Sequence, residues 1–165
     1  MTFLRRGHQA PPEALVRLDR DERVLAWAAS PEGTVVATPA GLWLPDRERI
    51  SWHLVTHVIW NGAMMTVTVA RPVEDDVLEL DPPVKIRLTE PRTLPETVQQ
   101  RFYSSRAHTA RHRLNDGTGV IVVARRVPGV DGLSWYVVFD EPAVRHDPVA
   151  RAEVAQLLAE ERTPS

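Results

Sequence analysis

The chain contains no cysteine. That absence excludes disulfides, thiolate-held metals, iron–sulfur clusters and cysteine nucleophiles together. Lysine is almost missing too. Lys85 is the only one, and the other 19 basic residues are arginine. Arginine suits phosphate and carboxylate recognition, but a chain equally rich in alanine, valine and proline reads first as the product of a GC-rich gene. No run approaches the roughly 18–20 apolar residues of a membrane span. The opening MTFLRRGHQAPPEAL has early arginines without the apolar core of a signal peptide behind them. With a formal charge of -2, bulk electrostatics draw the protein neither to nucleic acid nor to a membrane. The expected location is the cytoplasm.

Catalytic signatures are missing as well. No serine stands in Gly-x-Ser-x-Gly, no Gly-x-Gly-x-x-Gly opens a helix, and Gly117 and Gly119 lack the Lys-Ser/Thr of a phosphate loop. Asp140 and Glu141 are adjacent, so on a strand they point to opposite faces. No catalytic residue, cofactor or metal is expected.

What is present is punctuation and short alternating runs. Fourteen prolines and eight glycines in 165 residues favour short strands over long helices. Strands are expected at 22–30, 34–45, 50–60, 66–73, 77–80, 84–90, 119–127 and 133–139, with acidic Glu74–Asp76 as a solvated hairpin tip. Residues 94–106 predict a helix, with Pro95 and Glu96 in its first turn and Leu94, Val98 and Phe102 as its apolar stripe. Asp147 caps a second helix that begins with Pro148 and carries Ala150, Val154, Leu157 and Leu158. All five tryptophans fall in strand candidates, which makes them core material.

The stretch WHLVTHVIW (52–60) holds two histidines four apart. In a strand they stand about 13 Å apart, at about 3.3 Å per residue, too far for one metal ion. His108 and His112 repeat the spacing. A strand over 108–114 separates them in the same way, whereas a continued helix would leave a metal pair open there.

The order Glu22–Leu25, Ala37–Thr38, Gly41–Leu44, Ile50–Trp52, Val58 and Trp60 resembles that of bacterial pleckstrin-homology-like domains. Over roughly 12–160 the chain is similar to a group of small uncharacterised actinobacterial proteins. Their Leu-Pro-Glu-x-Val helix matches 94–98, their Val-x-Val-x-Ala-Arg-Arg strand matches 120–126, and their Trp-x-Val-x-Phe-Asp strand matches 135–140. The resemblance implies an α+β, β-rich fold: a pleckstrin-like, partly open β-barrel or sandwich of about seven strands with a capping helix, plus a C-terminal β-hairpin and helix. One domain is expected over 1–165, with its pleckstrin-like core at 12–107, its extension at 108–162, and flexible ends at 1–11 and 163–165. The resemblance carries no catalytic residue with it.

One charge asymmetry stands out. Residues 92–128 hold seven arginines against Glu96 and Asp116, a net of +5, while the chain from 129 onward nets -4. Arg111, Arg113, Arg125 and Arg126 are therefore the candidate binding residues, for phosphate, RNA or an acidic protein. The competing expectation is that these arginines pair with acids of the last helix such as Glu153 and Glu160. The leading functional expectation is a non-catalytic cytoplasmic binding or scaffold module acting through protein–protein contacts. The alternative is a nucleic-acid or anionic-ligand binder that uses the arginine cluster at 111–126.

Overall fold

The computed structural model of the chain describes residues 9–163. Most of the expected flexible ends lie outside the described residues. After α1 (Pro12–Leu15), strands β1 (Ala26–Ser30), β2 (Gly33–Ala37), β3 (Gly41–Trp43) and β4 (Ile50–Ser51) form an antiparallel meander. Thr38 organises the β2–β3 turn: its Oγ1 accepts from the backbone N–H groups of Ala40 and Gly41, each at 3.2 Å. Gly41 is required by close approach, because a Cβ there would lie 2.4 Å from the Ile50 carbonyl oxygen.

The second sheet contains β5 (Val55–Trp60), β6 (Met64–Glu74), β7 (Val77–Leu80), β8 (Val84–Arg87), β9 (Arg106–Arg113), β10 (Gly119–Arg125) and β11 (Ser134–Phe139). Its order is β5-β6-β7-β11-β10-β9, with β8 paired to β6 off that path. The 11-residue β6 is the hinge of the architecture. Its first half pairs with β5 and β8, and its second half with β7. The β7–β11 pairing is parallel, so the C-terminal hairpin continues the same sheet. The expected α+β, strand-rich class is what the structure shows.

Two helices close two cores. Helix α2 (Leu94–Ser105) buries Leu94, Val98 and Phe102 against Val35, Leu42, Leu44, Trp52, Val55 and Met65. Each such side chain contributes about 1.5–3 kcal/mol of burial. Helix α3 (Pro148–Arg162) starts at the Asp147 cap, whose side chain accepts from the Val149 N–H at 3.1 Å. It buries Ala150, Val154 and Leu158 against Val77, Val120, Val122, Val137 and Phe139.

The continuous strand expected over 50–60 is corrected. Trp52–Leu54 forms a 3₁₀ turn, and the β5–β6 register shifts between Val55 and His57. The apolar positions explain why: the buried residues run 50, 52 and 55, which a two-residue repeat cannot satisfy without an inserted turn. Trp52 alone among the tryptophans is fully buried, its Nε1 donating to the Thr38 carbonyl at 2.8 Å. Trp60, Trp135, Trp27 and Trp43 pack at the margins of the cores instead. The acidic turn Glu74–Asp76 is not merely solvated. Arg145 and Arg151 pair with Glu74 at 3.1 and 2.6 Å, and Arg162 reaches Asp76 at 3.8 Å.

The segment before β1 is tied down by Glu22, whose side chain is only 2% exposed. Its carboxylate accepts from Thr38 Oγ1, from Trp43 Nε1 at 3.0 Å and from the Asp19 N–H at 3.0 Å, and pairs with Arg49 at 3.2 Å. Burial alone would raise its pKa. The Thr38, Asp19 and Trp43 hydrogen bonds, with the Arg49 charge, outweigh that and hold the carboxyl below its ordinary 4.5. Because the folded value is depressed, this contribution is complete above pH 4.5 and fades as pH falls through the folded value. Glu22→Gln should therefore cost about 1–3 kcal/mol at neutral pH and flatten the acid limb of a stability-versus-pH curve measured by urea denaturation. An unchanged acid limb would refute this.

Candidate functional site

The alternation of β10 decides what each of its faces can do. Val120, Val122 and Ala124 are fully buried, Val120 and Val122 in the core beneath α3. Ile121, Val123 and Arg125 therefore face the opposite way. On that side the sheet is not packed tight. A cleft of about 280 Å³ separates it from β5 and the end of α2. Val58, Phe102, Ile121, Val123 and Val138 supply apolar walls, with Leu78 and Leu80 from β7. Ile59, Leu80 and Tyr103 stand at the opening and are 62%, 42% and 62% exposed.

Arg125 lies at the heart of this arrangement, 4% exposed. Its Nη2 donates to the Trp52 carbonyl at 3.1 Å, to the Val55 carbonyl at 3.0 Å and to Ser105 Oγ. Its Nε donates to the Ser105 carbonyl at 3.3 Å. Among the described residues no carboxylate pairs with it. Burial, and then the Arg106 charge beside it, push its guanidinium down to about 10. The neighbour is set by a register shift: β9 slips between Ala124 and Arg125, which places Arg106 across from Arg125. Arg106 also lies over the Phe102 ring, 5.5 Å from its centroid.

The four candidate arginines are not one cluster. Arg111 and Arg113 sit opposite Ile121 and Gly119, at the other end of the β9–β10 ladder from Arg125. Arg111 pairs with Asp140 at 3.1 Å, and Arg113 donates to the Gly117 carbonyl at 3.4 Å. Arg126 donates to the Ser104 and Arg106 carbonyls at 3.3 and 2.9 Å, securing the α2–β9 junction. Only Arg125 lines the cleft. The expected pairing with the last helix takes another form: Glu153 accepts from the Asn115 N–H at 3.0 Å and Glu160 accepts from Gln156 at 3.3 Å.

The two histidine pairs behave differently. His53 shares a 2.8 Å hydrogen bond with Ser51 and stacks on Tyr136, centroids 5.9 Å apart. Burial, then the Arg125 charge, lowers its pKa. His57 is exposed and shares a 3.2 Å hydrogen bond with Thr56. His108 and His112 do lie on a strand, yet their imidazoles lean together. Both Nε2 atoms meet the Glu161 carboxylate of α3, at 2.9 and 2.8 Å. The His112 hydrogen bond is the largest influence on Glu161 and, with His108, holds its carboxyl below the usual range despite the opposing effect of burial. Among the described residues no group of three or more His, Cys, Asp or Glu could hold a metal. Sequence spacing exposed the histidines but not Glu161, because nothing in the sequence fixes where α3 crosses β9.

No family model, curated protein or solved structure matches the chain.

Glu161 is thus the clasp that holds the far end of α3 to β9. Glu161→Ala should raise amide hydrogen exchange in 148–162 and lower global stability by about 1 kcal/mol. Unchanged exchange across α3 would show the clasp to be idle.

Proposed function

We propose that the protein is a non-catalytic cytoplasmic binding module of pleckstrin-like type, and that its working site is the cleft between β10 and the β5–α2 wall. The observation that carries this is the unfilled apolar volume itself. An apolar cleft with a few convergent polar groups is where small molecules bind. About 280 Å³ lined by Val58, Phe102, Val123 and Val138 is space that the protein's own side chains leave open.

A second reading, contact with a partner protein, draws on the exposed ring of Ile59, Leu80 and Tyr103 around the same opening. Nucleic-acid binding draws less support, since Asp140 engages Arg111 and the backbone engages Arg113 and Arg126.

Nile red, a neutral apolar dye, tests the cleft directly. Saturable binding to the folded protein is expected, and Val123→Trp should abolish it by filling the space while circular dichroism stays unchanged. The overpacked side chain should cost about 1–3 kcal/mol. Dye binding that survives in Val123→Trp would move the site elsewhere.

A further inference from the structure

The cleft has a chemical polarity that its apolar walls do not explain. The ionisable groups lining it are His57, Arg106 and Arg125, and no carboxylate is among them. Tyr103 adds a phenol at the mouth. Arg125 is the deepest of these cations and the best held. Its Nε and Nη2 are committed to the Trp52, Val55 and Ser105 oxygens. Its Nη1 has no hydrogen-bond partner among the described residues, yet no unpartnered polar side-chain atom among them is sealed from solvent. Nη1 is therefore not sealed off, and Arg125 is one of the residues that line the cleft.

A buried guanidinium without a counter-ion is costly. The carbonyls at the end of α2 offset part of the charge, since a helix C-terminus carries about half a negative charge. The rest is uncompensated, and the low proton affinity of Arg125 is its symptom. An anion bound at Nη1 would offset that cost and would bring a charge-assisted hydrogen bond into a site largely shielded from water.

We infer that the cleft binds a small amphipathic carboxylate, with its head on Nη1 of Arg125 beside Arg106 and its hydrocarbon part along Val58, Phe102, Val123 and Val138. This rests on the reading of the cleft as the working site. A single negative charge fits better than a phosphate dianion. The buried part of the site offers one unpaired donor, Nη1 of Arg125, with Arg106 exposed beside it, whereas a dianion would need more donors to leave water. The apolar walls and the exposed ring of Ile59, Leu80 and Tyr103 suit a tail that runs from the head group toward solvent.

The test compares decanoate, decanol, decylamine and decyl phosphate as probes, by calorimetric titration and by chemical-shift mapping of the valine methyl groups. Decanoate should perturb Val58, Val123 and Val138. Decanol and decyl phosphate should bind about ten-fold more weakly, the effect of losing or mismatching one charge-assisted contact, and decylamine should not bind. Arg125→Met should reduce decanoate affinity to that of decanol. Should that variant fail to fold, Arg106→Gln, on an exposed side chain, should still weaken decanoate several-fold and leave decanol unchanged. Equal binding of decanoate and decanol to the native protein would overturn the carboxylate assignment and leave the cleft as a purely apolar site. Tighter binding of decyl phosphate would overturn it in favour of a phosphate. Failure of all four probes, together with failure of Nile red, would overturn the cleft reading itself.

Discussion

Three segments distant in sequence meet at one guanidinium. Arg125, at the end of β10, donates to the carbonyl of Trp52 in the 3₁₀ turn, to that of Val55 opening β5, and to the last residue of α2. The Trp52 carbonyl also accepts from the Val55 N–H, and the Ser105 carbonyl from the Arg126 N–H at 2.7 Å, so the guanidinium joins acceptors that the backbone has already begun to pair. One side chain therefore closes a helix end, a turn and a strand start together. It also fixes how far the β9–β10 hairpin stands from the first core. Arg125 also lines the cleft between β10 and the β5–α2 wall.

The two cores depend on one shared strand in a similar way. β6 contributes Met65 and Val67 to the first core, and its far end carries the β7 pairing from which the second grows. The register shift between Pro72 and Glu74 lets the strand turn from one to the other. Arg145, Arg151 and Arg162 then draw the C-terminal segment onto the turn that follows. The segment from 108 onward continues the second sheet through β9, β10 and β11.

How much of this the sequence disclosed depends on which physical signal carried it. Strand period and turn residues made the β-rich class legible, and the Leu94–Val98–Phe102 stripe placed α2 to within a residue. The 3₁₀ turn at Trp52–Leu54 was hidden because its residues are themselves good strand formers, and only the packing of Ile50, Trp52 and Val55 into one core forces the turn. The sequence singles out Arg125, but as one member of a cluster with Arg111, Arg113 and Arg126. Local periodicity does not reveal that β5 and α2 cover the face on which it lies. The Glu161 clasp was illegible for a related reason: it depends on where a helix crosses a strand, a long-range fact that local periodicity does not encode.

The edge of the second sheet carries a consequence of its own. β9 ends the strand order, so among the described residues one row of its backbone groups has no strand beside it. Such an edge invites the same strand of another molecule to add on. Arg106, Arg111 and Arg113 lie along that strand. In an antiparallel pairing of two copies, these side chains would confront their own kind across the seam, and like charges directly opposite repel. The arginine-rich stretch that looks like an invitation to a polyanion thus also serves as a fence that keeps neighbouring molecules apart.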